Sequence, residues 1–409
     1  MKKEKKVETP VVTEEKPKKK WPHIVRKTGL IVGIVLSTIV TIVLSYVGYV
    51  VLSYNRIGDI SLDVDNNSTK EKVAVNQELG MVTYNIGFGA YSQDYTFFLD
   101  DGYDDEGNRT VGYHSKALSK DDVIFNTNGA IKTVQDLNPD FVMLQEVDTN
   151  STRSYHINQD EEFKVSFEDY SHTHCVNFHT AFLPYPLYDM HGTVNAGLST
   201  FSRYKIQAAE RKSYTIADDL SKLFDLDRCF SVHEINVENG KSLFIINSHM
   251  SAYDEGGVIR KQQMLELNTF MKSVTDNGDY LIVGGDFNHD LLINNPDYNY
   301  NETDHRPFGV TKKKPDWLSY LFDEEGKSPL NDDVKVYAAD NEPTCRNNDI
   351  EWEEGKTFVA TVDGFVVSKN VEVNAVKTIR TKQGKKGVDG FAQISDGLFV
   401  VVVTTVRDA

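Results

Sequence analysis

"LIVGGDFNHD", residues 281–290, is the stretch on which the reading of this chain turns. Leu281 to Val283 are apolar, partly β-branched and too few for a helix, which predicts a fully buried strand. Gly284 and Gly285 then remove the side chains where the strand leaves its sheet, which frees the backbone or lets another group approach closely. Asp286, Asn288, His289 and Asp290 follow at once. Asp and Asn are ordinary turn residues. The run gains a chemical meaning if other strands end in carboxylates and imidazoles as well.

They do. "GMVTYNI" (80–86) predicts a strand ending near Asn85, and "FVMLQEV" (141–147) a buried strand carrying Gln145 and Glu146. "KSLFIINSH" (241–249) ends in Asn247 and His249. "KTFVATVDGFVVS" (356–368) contains Asp363, and Asp396 stands just before "GLFVVVVTTV" (397–406). Two helices alternate with these strands. One covers 119–140, with Ser119 as N-cap and Asn138-Pro139 as its stop. The other covers 257–279, with Leu267, Phe270, Met271 and Val274 on one face and Asn277-Gly278 at its end. The alternation predicts an α/β domain. Carboxylates gathered in a partly desolvated cleft repel one another, and a divalent cation relieves that repulsion. Oxygen donors without paired cysteines favour Mg²⁺, with Mn²⁺ or Ca²⁺ as alternatives, over zinc.

Composition sets the frame. The 409 residues are 40% hydrophobic, enough for a large core, and carry a net charge of -17. That charge is uneven: residues 1–28 hold ten Lys/Arg against four Glu, and "GLIVGIVLSTIVTIVLSYVGYVVL" (29–52) holds none. As a helix the uncharged run spans a hydrocarbon core, and no Ala precedes Ala74 to make a small-residue cleavage site. The expectation is an uncleaved anchor over 29–54, with the basic tail 1–28 in the cytoplasm and the rest outside. The polar stretch 55–78 reads as a linker and 79–409 as the functional domain. Cys175, Cys229 and Cys345 are too few for a disulfide framework; at most one pair forms in an oxidising compartment. The oligomeric state is not legible.

"TYNI", "LQEVD", "AGLSTFSRYKI", "NSHM", "GGDFNHD", "VDGF" and "SDG" occur in an order that resembles the endonuclease/exonuclease/phosphatase superfamily over about residues 79–406. The resemblance implies a four-layer sandwich, two packed mixed β-sheets flanked by helices, with a catalytic cleft along one edge. It implies a metal site at Glu146, with Asn85 and the acidic Asp396 close by. By the same resemblance Asp286 orients or deprotonates the attacking water, and Asn288 hydrogen-bonds a phosphoryl oxygen. His249 contacts phosphate as general acid or oxyanion stabiliser, and Asp363 partners a histidine expected after Asp396. These residue types suit phosphoester hydrolysis, which needs charge neutralisation, a positioned water and help for the leaving oxygen. Arg228 is a further candidate phosphate contact, since guanidinium pairs with phosphate in a bidentate manner. His289 matches no catalytic position and is expected to stiffen its loop.

One departure matters. Gly397 stands where the family pattern has a histidine, which opens a second reading: a phospho-ligand-binding domain with impaired turnover. The tether points to a lipid headgroup or a small phosphorylated substrate. Tight nucleic-acid binding is expected to be disfavoured, because affinity for polyanions comes largely from Lys and Arg and the region past the linker is acidic.

Overall fold

The computed structural model describes residues 23–104, 106–217, 227–252, 257–300, 314–353, 355–379 and 399–406. Fourteen of its strands form two seven-stranded sheets and are numbered here along the chain. The first contains β1 (Ile60–Ser61), β7 (Ile206–Ser213), β8 (Cys229–Asn236), β9 (Ser242–His249), β10 (Tyr280–Asp286), β11 (Val334–Tyr337) and β12 (Asp363–Ser368), in the order β1-β7-β8-β9-β10-β12-β11. The second contains β2 (Asp65–Asn66), β3 (Glu78–Asn85), β4 (Phe141–Asp148), β5 (Ser171–Leu183), β6 (Gly192–Ser202), β13 (Val371–Ile379) and β14 (Phe399–Val406), in the order β13-β14-β3-β4-β6-β5-β2.

Each sheet has one parallel pair, β9 with β10 and β3 with β4, and the remaining pairs are antiparallel. A parallel pair needs a crossover, and a helix supplies it in both cases. Helix α2 (Lys120–Leu137) joins β3 to β4, the short helix α3 (Gln159–Ser166) lies between β4 and β5, and helix α4 (Val258–Asp276) joins β9 to β10. Ser119 caps α2 by accepting the Asp122 N–H, and Asn138 in the left-handed region ends it.

The strands alternate their apolar residues between two buried faces, which is why they read as unbroken apolar runs. Met81, Phe141, Met143, Ile245, Ile282 and Phe365 meet between the sheets. Ile246, Val283 and Val366 point the other way, against Met264, Leu267 and Met271 of α4. Val82, Val142 and Leu144 pack likewise against Ala130, Ile131 and Val134 of α2. The layers are therefore helix, sheet, sheet, helix, as the resemblance implied.

Two expectations change. The stretch 55–78 is not a free linker: it supplies β1 and β2, and Val73 is fully buried with its N–H on Asn236 O at 2.9 Å. Four apolar residues spaced through it, Leu62, Val64, Val73 and Val75, join the inter-sheet core and fasten the strap. The expected strand 356–368 is two pieces, Val359–Ala360 and β12. Asp396, Gly397 and residues 1–22 lie outside the described residues.

Helix α1 (His23–Ser53) forms a compact unit separate from the rest of the chain. Its segment Val25–Ser53 is long and apolar enough to cross a membrane, with a mean hydropathy of 2.5.

Candidate active site

The register of the first sheet lines up three of the expected residues. His249 pairs with Asp286 across β9 and β10, and Asp286 pairs with Asp363 across β10 and β12. Imidazole and two carboxyl groups thus form one row at the end of three neighbouring strands. The second sheet brings Asn85, which ends β3 opposite Gln145. Glu146 reaches the same place through a bulge: the β4–β6 register slips between Leu144 and Val147, and Glu146 takes φ +54°. A non-glycine residue in that region is strained, and the result here is a carboxylate turned into the cleft.

The Asn85 amide joins the two sheets. Its Nδ2 donates to Glu146 Oε1 at 3.3 Å and to Asp286 Oδ2 at 3.0 Å, while its Oδ1 accepts from the Gly87 N–H. Burial pushes the Asp286 carboxyl up to about 6, and the nearby Glu146 charge acts in the same direction. The Asn85 amide and the Asn288 backbone N–H, at 2.8 Å, favour its charged form and limit the rise. His249 Nε2 lies 3.6 Å from Asp286 Oδ2. Burial, then the Arg228 and Arg153 charges, hold this imidazole well below its usual range, so it is neutral. Its Nδ1 is buried and makes no hydrogen bond among the described residues.

Asn288 also adopts a left-handed backbone, φ +50°, which Asn tolerates better than most residues. Its Nδ2 donates to Met250 O at 2.9 Å, and its carbonyl accepts from the buried Arg260 at 2.7 Å. The loop after the two glycines is therefore pinned on both sides. Gly285 is required by close approach: a Cβ there would lie 2.0 Å from the Ser248 carbonyl oxygen. His289 donates from Nδ1 to Phe287 O at 2.8 Å and is buried, a loop brace as expected.

Seven of the eight expected residues line one cleft: Asn85, Glu146, Arg228, His249, Asp286, Asn288 and Asp363. The eighth, Asp396, lies outside the described residues. Gln145 and Asn247, which the strand ends also offered, do something else. Gln145 Nε2 donates to Asn247 Oδ1 at 2.7 Å, and Asn247 Nδ2 donates to the Leu144 and Ser199 carbonyls, so the pair ties one sheet to the other.

Reading the sequence missed two arginines of the cleft. Arg153 is buried, forks onto Asp148 with Nη2–Oδ1 at 2.8 Å, lies 3.9 Å from Glu146 Oε2, and stacks over the Phe88 ring at 4.0 Å. Burial works against its charge, but Asp148 and Glu146 hold its pKa above the usual value. Arg346 is fixed by the Ser92 and Tyr95 carbonyls, each at 3.0 Å. Both follow polar runs, "DTNST" and "PTC", that carry no periodic signal. Tyr91, Phe97, Phe98, Phe178 and Trp317 add aromatic rings to the lining.

Among the described residues no three His, Cys, Asp or Glu side chains group as a cation site. The donor chemistry nonetheless fits a hard cation: two carboxylates, no sulfur, and a repulsion between Glu146 and Asp286 that a cation would relieve.

A model of the Endonuclease/Exonuclease/phosphatase family matches residues 123–380, and the chain belongs to that family of phosphoester hydrolases. No curated protein sequence matches it. Among solved structures it is similar to ANGEL2, described as a 2',3'-cyclic phosphatase in complex with adenosine-2',3'-vanadate: 14% identity, 85% of this chain and 99% of that one, TM-score 0.50. D. rerio TDP2 complexed with single strand DNA product matches at 11% identity over 80% of this chain and 99% of that one, TM-score 0.47. The human Nocturnin catalytic domain with bound sulfate anion matches at 16% identity over 84% and 96%, TM-score 0.46. At such identities the likeness shows the fold.

The expectation that tight nucleic-acid binding is disfavoured is overturned. The similar ANGEL2 structure holds adenosine-2',3'-vanadate, a nucleoside ligand. The charge argument behind the expectation also fails on physical grounds. The net charge of -17 describes the whole chain, whereas the cleft sets Arg153, Arg228 and Arg346 among Asp100, Glu146, Asp286 and Asp363, and the local arrangement of charge decides what a cleft attracts.

Proposed function

We propose that the chain is a membrane-anchored, divalent-metal-dependent hydrolase of a phosphoester bond, and that the cleft is its active site. One observation carries the reading: the Asn85 amide bridges Glu146 of one sheet and Asp286 of the other at 3.3 and 3.0 Å. Glu146 would hold Mg²⁺ with Asn85 close by and Asp396 as a further ligand, and such an ion would neutralise charge on the phosphoryl oxygens. The chain's own groups do the remaining work. Asp286, whose pKa of about 6 suits proton transfer near neutrality, accepts a proton from the attacking water. Neutral His249 and the amide of Asn288 donate hydrogen bonds to phosphoryl oxygens, and Arg228 balances their charge. Asp363, in register beside Asp286, orients the row. Phe97, Phe98 and Phe178 give the organic part of the substrate an apolar wall and keep water off it.

Aromatic rings beside Arg153, Arg228 and Arg346 suit a lipid headgroup or a small phosphorylated molecule, and nucleotides are not set aside. Helix α1 would place the basic tail in the cytoplasm and the hydrolase outside it. The test is release of phosphate or headgroup from phospholipid, nucleotide and DNA substrates by the full chain in detergent micelles with Mg²⁺. Hydrolysis of at least one substrate is expected, stopped by chelation and lowered about 10²–10⁴-fold in Asp286→Asn. If wild type releases nothing and Gly397→His does, the domain is a binder of phospho-ligands instead.

A further inference from the structure

We propose that Cys175 and Cys229 form a disulfide that joins the two sheets behind the cleft. Cys175 lies on β5 of the second sheet, and Cys229 opens β8 of the first. Their Sγ atoms are 3.5 Å apart, and both residues are fully buried in a small cluster with Leu198 and Leu62. A disulfide bond is about 2.05 Å long, so closing the pair needs a shift of about 1.5 Å, within the reach of side-chain rotation.

The backbones on both sides are already held. Arg211 of β7 donates from Nε to Val176 O at 3.0 Å, next to Cys175, and from Nη2 to Asp227 O at 2.7 Å, just before Cys229. One buried guanidinium therefore clamps both cysteine-bearing segments in register. The third cysteine, Cys345, sits in a different cluster beside Leu318 and Val362. The bridge also has consequences for the cleft, because Phe178 and Arg228, close in sequence to the two cysteines, both line it.

The chemistry is exchange with a disulfide oxidant, a small molecule or a protein. One cysteine thiolate attacks a sulfur of the oxidant, releasing one thiol and leaving a mixed disulfide. The second cysteine thiolate then attacks the protein sulfur of that mixed disulfide and releases the other thiol. The two protein thiols lose two electrons and two protons, and the oxidant is reduced to two thiols. Both sulfurs are inaccessible in the folded chain, so the bond forms as the chain folds or when the core opens.

The full chain in detergent micelles is incubated with oxidised glutathione at a urea concentration just below its unfolding midpoint, then denatured and its thiols titrated. One thiol is expected in place of three, with a peptide pair linked through Cys175 and Cys229. The linked form should melt about 5–10 °C higher than the reduced form. Cys345→Ser should leave no titratable thiol after oxidation. Three thiols in oxidised wild type, glutathione adducts without a link, or a link through Cys345 would each overturn the proposal. The wild-type count decides the matter whether or not the variant folds.

Discussion

Gly285 shows how one missing side chain holds the site together. A Cβ there would stand 2.0 Å from backbone, the Ser248 carbonyl, which cannot yield; at Gly284 it would meet the end of Met143 at 2.7 Å, which can swing. Gly285→Ala is therefore expected to cost about 3 kcal/mol or more and Gly284→Ala about 1 kcal/mol, read from urea unfolding. Equal losses would mean that the strand approach is not what selects glycine. Arg153 invites a second test. Arg153→Met leaves Asp148 buried without its fork and is expected to cost about 3–5 kcal/mol. Arg153→Lys should recover part of that loss, since a point charge replaces the fork only partly. At this scale the sequence carried much of the site. Residues that end strands, such as Asp286 and Asn85, are announced by the apolar runs before them. Arg153 and Arg346 sit in turns, where neither periodicity nor spacing marks a residue as inward-facing.

Elements are held to one another by buried polar ties as well as by apolar packing. His233 of β8 donates from Nδ1 to Ile245 O at 3.0 Å and accepts from Thr173 of β5 at 2.8 Å, across the sheet interface. Gln145 and Asn247 make a similar tie. Asn247→Leu would remove the donor that the buried Leu144 and Ser199 carbonyls accept from, as well as an acceptor of the Gln145 amide, and is expected to destabilise by about 2–4 kcal/mol, whereas Asn239→Ala in an exposed turn should cost about 1 kcal/mol or less. Burial also lowers the pKa of His191, His233 and His289 to about 4. All three are neutral, folded or unfolded, above about pH 7. Between about pH 6.5 and 4 the unfolded chain binds protons that the folded chain refuses, so stability falls as pH falls through that window. Each contributes at most about 1.4 kcal/mol per pH unit, and His249 adds to the slope while Asp286, shifted upward, opposes it. Urea midpoints measured from pH 7.5 to 4.5 should decline, and His289→Gln should flatten the decline. A flat profile would mean these imidazoles are wetted. The strands and helices themselves were legible because both faces of each central strand are apolar. The strap over 55–78 was not, because two-residue strands and four scattered apolar residues leave no pattern above that of a polar loop.

Taken whole, the molecule combines a long apolar helix with a hydrolase fold whose cleft gathers three arginines among its carboxylates. The helix was plain in the sequence because length and the absence of charge suffice to define it. The character of the cleft was not, because charges far apart in the chain, Arg153, Arg228 and Arg346, meet only after folding. The full chain is expected to stay in the membrane fraction through alkaline carbonate extraction, and recovery in the supernatant would remove α1 as an anchor. The central claim is that Glu146 and Asp286, delivered by different sheets, belong to one reacting centre. Mg²⁺-supported hydrolysis of bis(para-nitrophenyl) phosphate by wild type, Glu146→Gln, Asp286→Asn and the double variant tests it directly. Residues that act as a unit are non-additive, so the double variant should be no slower than the slower single variant. Losses that multiply, or a single variant that keeps the wild-type rate, would contradict the claim.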